Sequence, residues 1–169
     1  MHSAFLRYLP SLLLCALLLG GTACSKDKDP TPVEVPTLYE RLGRVEGITR
    51  LVDKFMANVG VETSQPNSIL LRSHQEFLNA VNGGNDFRRL VFRNNLIDQL
   101  GSVEISGGPL AYKGKSMFLV HQGMQITNAE FDEVAHQLDM ALDFYKVPAA
   151  DKTALLTVLG GLRSSIVGH

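Results

Sequence analysis

Ile48, Leu51, Val52, Phe55, Met56 and Val59 recur at i, i+3, i+4, i+7, i+8 and i+11. That spacing gathers all six on one stripe of an α-helix, whereas a strand would scatter them over both faces. Phe131, Val134, Ala135, Leu138, Leu142 and Tyr145 follow the same period. They come directly after Thr127-Asn128-Ala129-Glu130, a capping box in which hydroxyl and carboxylate each satisfy an end N–H. Leu155, Leu159, Leu162 and Ile166 make a third stripe within Asp151 to Val167. Striped helices must bury their stripes against one another, so the chain is expected to be all-α.

Breakers divide the rest of the chain. Leu38 and Leu42 suggest a short helix ending at Gly43, and Pro66 and Asn82-Gly83-Gly84-Asn85 bracket another around Ser68 to Val81. Asp86 is the expected N-cap of a helix carrying Phe87, Leu90, Val91, Leu96, Ile97 and Leu100. Gly101 to Gly114 reads as a loop, followed by a short segment from Lys115 to Gly123; Pro148 interrupts the chain before the last stripe. No β-hairpin signal and no internal repeat are found.

The ends and the composition narrow the function. Met1 to Cys24 has signal-peptide proportions: Arg7, the apolar run "LLLCALLLGG", then small residues before Cys24. That pattern resembles a bacterial lipoprotein signal cleaved before Cys24, with residues 1–23 removed, although Gly21 stands where Leu is usual. An ordinary secretory cut nearby is the alternative. Residues 24–36, charged and proline-rich, read as a tether, and 37–169 as the folded domain. The expected location is therefore outside the cytoplasm, held to a membrane by a lipid on Cys24. Both cysteines lie in the leader or at its end, which excludes a disulfide framework, a zinc-thiolate site or a cysteine nucleophile in the domain. A formal net charge of -1 with no basic stripe excludes a nucleic-acid partner.

Few side chains are placed to carry chemistry. His74 sits in a polar run and is expected to be solvated, His136 to be structural, and His169, the last residue, to be disordered. No two histidines share the i, i+4 spacing of a metal pair, and no Gly-x-Ser-x-Gly turn supports a hydrolase. His121 differs: it stands in "MFLVHQGMQIT", among Met117, Leu119, Val120, Met124 and Ile126. Composition alone leaves two readings, a satisfied core histidine or the axial ligand of a haem, which needs one imidazole inside an apolar cleft.

The ordered set Gly-Gly-Pro (107–109), Tyr112-Lys-Gly, Met117, His121, Gly123-Met124, Ile126-Thr127 and Phe131-Asp132 resembles the group I truncated haemoglobins. The likeness runs through Thr37 to Val59, Gly107 to Pro148 and Asp151 to Val167. It implies a two-over-two helical sandwich around haem b, with His121 as the proximal iron ligand and Met117 one turn before it on the porphyrin. Tyr112 and Lys115 would lie at the haem edge, and Ile126 and Phe131 on the proximal side. On the distal side the resemblance implies Phe55 and Met56, with Phe77 as the phenylalanine wedged on the haem. Leu96, Gln99 and Leu100 are candidates for the distal helix, with Arg93 under a shifted alignment.

Three departures stand out. Met56 replaces the tyrosine that many members use to donate to bound oxygen, and Arg44 replaces the second glycine of an early Leu-Gly-Gly. The chain is also longer than usual in Gln65 to Asn85 and in Ser102 to Ser106. The resemblance implies a haem protein binding O2, CO or NO. Alternatives are a haem-dependent enzyme (nitric oxide dioxygenation or a peroxidase-like activity) served by a separate reductase, or a haem-free interaction lipoprotein.

Overall fold

The computed structural model describes residues 34–169; the leader and most of the tether lie outside the described residues. Among the described residues eight α-helices follow one another: α1 (Leu38–Arg41), α2 (Arg44–Thr63), α3 (Leu71–Asn82), α4 (Asp86–Leu100), α5 (Val103–Ser106), α6 (Met117–His121), α7 (Asn128–Phe144) and α8 (Ala149–Gly160). A 3-10 turn, Arg163–Ser165, closes the chain. Among the described residues β structure is confined to two isolated bridges, Ser102 with Leu110 and Ile126 with Val167. The all-α expectation holds.

The first stripe becomes the centre of the core. Ile48, Leu51, Val52 and Phe55 of α2 are buried against Ile97 and Leu100 of α4, Leu138, Ala141 and Leu142 of α7, and Leu155 of α8. Each fully buried Ile, Leu or Val contributes roughly 1.5–3 kcal/mol of transfer free energy. The Thr127 capping box is present, with Glu130 N–H donating to the Thr127 hydroxyl at 3.2 Å and Thr127 N–H to the Glu130 carboxylate at 2.8 Å. Crossing of α1 and α2 depends on Gly47: a Cβ there would lie 1.9 Å from the Leu42 carbonyl oxygen. Gly108 is equally constrained, because a Cβ would meet the Gly101 carbonyl and the Tyr39 ring at 2.4 Å. Arg44, where the resembled family has glycine, has a left-handed φ of 57°. Such a conformation costs an L-residue about 1–2 kcal/mol.

Several expectations are corrected. Asn85, not Asp86, caps α4, its side chain accepting from Arg88 N–H at 2.9 Å; Asp86 is the first helical residue. Residues 101–114 are not all loop: Ser102 accepts from Ile105 N–H and starts the one-turn α5, which buries Ile105. The last stripe is not one helix, since α8 stops at Gly160 before Gly161 and the 3-10 turn follows. Tyr145 ends α7 exposed instead of extending its buried face. Phe87, Leu90 and Val91 lie on α4 as expected, but they are exposed; only the C-terminal half of that helix enters the core.

Candidate functional site

Helix α6 is set by its two ends. The Ser116 hydroxyl accepts from Leu119 N–H at its start, and Gly123 (φ 85°) and Gln125 (φ 51°) turn the chain away after it. Within this single turn His121 is half-buried, and its Nδ1 lies 2.7 Å from the Met117 carbonyl oxygen. A carbonyl has no proton to give, so Nδ1 carries the hydrogen and Nε2 presents a lone pair. Among the described residues no hydrogen-bond partner engages that Nε2. Phe118, Leu119 and Val120 beside it are exposed.

The chain's last residues brace this turn. Gly168 N–H donates to the Ile126 carbonyl at 2.9 Å, and Gln125 N–H donates to the His169 carbonyl. The His169 ring packs edge-on against Phe118 with centroids 4.7 Å apart. His169 is thus ordered, contrary to expectation: its own backbone and ring supply the contacts.

Helix α4 forms the facing wall. Gln99 Nε2 reaches the Met117 sulfur at 3.3 Å, which joins α4 to α6 directly. N-terminal to Gln99, Leu96 is half-buried, while Phe92, Leu90, Val91 and Phe87 are exposed, the last by 77%. An imidazole whose Nε2 has no hydrogen-bond partner among the described residues, on a turn with exposed apolar neighbours and joined to α4 at Gln99, supplies the kind of donor and lining that a haem requires. The residues present fit that group.

The remaining predicted residues are spread around this centre. Phe55 and Leu100 are core residues, and Met56 packs against the same cluster. Phe77 stacks on Phe92 at 4.9 Å, so α3 meets the exposed part of α4. Ile126 is buried at its bridge to Val167, and Phe131 is half-buried under the Arg163 guanidinium, 4.2 Å from the ring centroid. Tyr112 donates its hydroxyl proton to the Lys115 carbonyl at 2.9 Å; Lys115 itself is exposed. Arg93 is committed to Asp53 at 2.8 Å on the α2 side.

Sequence reasoning missed a second polar group. Arg72 of α3 donates to the carbonyls of Met124 (3.0 Å) and Gln125 (2.9 Å) and to Glu130 Oε2. Glu130 is buried, and its Oε1 has no partner among the described residues. Burial pushes the Glu130 carboxyl upward, but Arg72 and the Thr127 hydrogen bonds outweigh it and hold the pKa below its ordinary value. His74, expected to be solvated, is half-buried with Nδ1 on the Leu70 carbonyl at 3.0 Å. Desolvation there lowers its pKa, against the opposing pull of that backbone bond and of Glu62 and Glu130. Nothing periodic marks these partners: Arg72 and Glu130 are 58 residues apart.

Residues 37–167 match the profile of the bacterial-like globins. The chain belongs to the bacterial-like globin family. The group 1 truncated hemoglobin GlbN of Nostoc sp. (strain MUN 8820) is 26% identical over 131 residues, spanning 78% of this chain and 97% of that protein. Truncated hemoglobin from Tetrahymena pyriformis in its Fe(III) form superposes with a TM-score of 0.62 at 25% identity, covering 79% of this chain and all of that one. The 2/2 hemoglobin from Synechococcus sp. PCC 7002, solved in the cyanomet state with covalently attached heme, shares the fold with a TM-score of 0.60 at 21% identity. This globin therefore has the truncated two-over-two fold and is a haem-binding protein by family.

The buried carboxylate makes the tie between α3 and α7 acid-sensitive. Because the Glu130 pKa is lowered in the folded globin, its contribution is complete above the unfolded value, near 4.5, and is lost as pH falls through the folded value. Amide-exchange protection across residues 71–82 and 124–130 should drop selectively as pH falls below the unfolded value, ahead of α2. In Glu130→Gln the same segments should be poorly protected already at neutral pH, with the acid step gone.

Proposed function

We propose that this globin holds haem b between α4 and α6, with His121 Nε2 as the protein ligand to iron, and binds a diatomic gas on the opposite face. The carrying observation is the Nδ1 contact of His121 with the Met117 carbonyl at 2.7 Å. It commits one ring nitrogen, orients the ring and makes the other nitrogen more basic, as a carbonyl behind a ligating histidine does. Haem, when bound, supplies an iron that takes O2, CO or NO.

The side chains divide the remaining work. Met117, Ile126 and Phe131 line the His121 side, with Tyr112 and Lys115 at the edge where the carboxylates of the group meet solvent. Phe55, Met56, Phe77, Leu96, Gln99 and Leu100 belong to the opposite side, where Gln99 is the polar member able to donate. Gln99 and Met117 touch at 3.3 Å, so the group takes its place between α4 and α6 only where that contact opens. Met56 has a thioether and no proton to donate, so a bound gas that gathers negative charge finds less stabilisation there than beside a hydroxyl. The leader pattern supports export and attachment through Cys24.

Three measurements check this reading. Haemin added to the full-length protein should give a sharpened, shifted Soret band that His121→Ala lacks; a wild type without the shift leaves a haem-free module. In Met56→Tyr, oxygen should dissociate roughly tenfold more slowly, the equivalent of one added hydrogen bond of about 1.4 kcal/mol. When the full-length protein is expressed in bacteria, it should fractionate with membranes, and Cys24→Ser should release it.

A further inference from the structure

We propose that the outer face of α6 docks on an anionic lipid bilayer, with Lys113 and Lys115 against its phosphates and Leu119 in its interfacial layer. The inference goes beyond the haem reading and takes from the attachment through Cys24 only its reach. Met117 and His121, at the two ends of α6 and four residues apart, share one helix face, and Leu119 between them points the opposite way. A haem held by His121 lies on the first of these faces and leaves Leu119 uncovered. Phe118, Leu119 and Val120 are all exposed, Leu119 by 52%. Phe118 leans on the His169 ring, so Leu119 and Val120 are the more open members of the group.

Charge and chain path name the occupant. Lys113 and Lys115 are exposed just before this turn, and no Asp or Glu occurs between Glu104 and Glu130. Past the turn, Glu130 is buried on Arg72, and Asp132 is paired with Arg163. The surface is thus cationic and apolar together, the composition that seats a short helix at the headgroup level of anionic lipid. The first half of α4 is also apolar and open, but Arg88, Arg89 and Arg93 there are paired with Glu76, Asp86 and Asp53. Its positive charge is already answered by protein. The chain enters the domain beside the loop that carries the two lysines: a Cβ on Gly107 would lie 3.4 Å from that of Thr37. Lys113 is no more than about 22 Å of chain beyond Gly107, and Cys24 no more than about 47 Å before Thr37. A lipid on Cys24 therefore keeps this loop within reach of the bilayer.

Amide exchange reads this surface in full-length protein bound to vesicles of phosphatidylglycerol and phosphatidylcholine in equal parts. Exchange over residues 112–122 should be at least about fivefold slower there than on phosphatidylcholine alone, the weight of one lysine at an anionic surface. The protection should vanish in salt of about 0.5 M, while residues 86–93 keep their rate throughout. Leu119→Ser and Lys113→Glu, each compared with its own rate free of vesicles, should lose the protection. Protein that floats with both kinds of vesicle while residues 112–122 exchange as in solution overturns the docking face and leaves the Cys24 attachment standing. Equal protection on both lipids overturns it too, because charge then does not select the surface. Protection that is present without vesicles and disappears on dilution assigns the face to a second copy, with the same result. Protein that floats with neither overturns docking and attachment together.

Discussion

Everything in this globin hangs on the apolar face of α2 being covered from two directions at once, by α4 and by α7. Ile48 and Val52 are fully buried at that junction. Because α2 is clamped along its length, α4 and α7 are held apart at a fixed spacing, and α6 is delivered opposite α4 by the loop that runs between them. The site is therefore a by-product of core packing: its walls are the parts of helices that the core leaves uncovered. This explains why α4 is split, with Ile97 and Leu100 in the core and Phe87 to Phe92 outside it.

The same division accounts for what was legible in the sequence. Helices α2 and α7 announce themselves because a stripe of six apolar residues at helical spacing has one stable solution. The capping box at Thr127 fixes the start of α7 to the residue. Helix α4 shows a similar apolar content, but periodicity reports only that side chains share a face; it does not say whether protein or a cofactor covers them. Hence Phe87, Leu90 and Val91 read like core and stand open. One-turn elements were illegible for another reason: α5 rests on a single Ser102 cap, a signal too common to be specific.

Polar partnerships were the least legible of all. His74 in "RSHQE" looks solvated because its neighbours in sequence are polar, yet burial comes from neighbours in space. Arg72 finds two carbonyls and a carboxylate more than 50 residues downstream, and no local pattern announces such a reach. His121 is the opposite case. Composition allowed two readings of it, and the ordered motif around it pointed to one. The hydrogen bond behind its ring then supplied the physical reason that this imidazole suits a metal.

Arg72 has a further consequence, best put in terms of rates. Its guanidinium alone gathers three acceptors, two of them carbonyls in the turn just past His121. Opening α3 thus requires one side chain to release three partners together, while closing it restores all three in a single event. On the haem reading proposed above, a group held behind such a fastening could leave no faster than that opening. On that reading, residence time and affinity would rest on different residues, Arg72 of α3 for the one and His121 for the other.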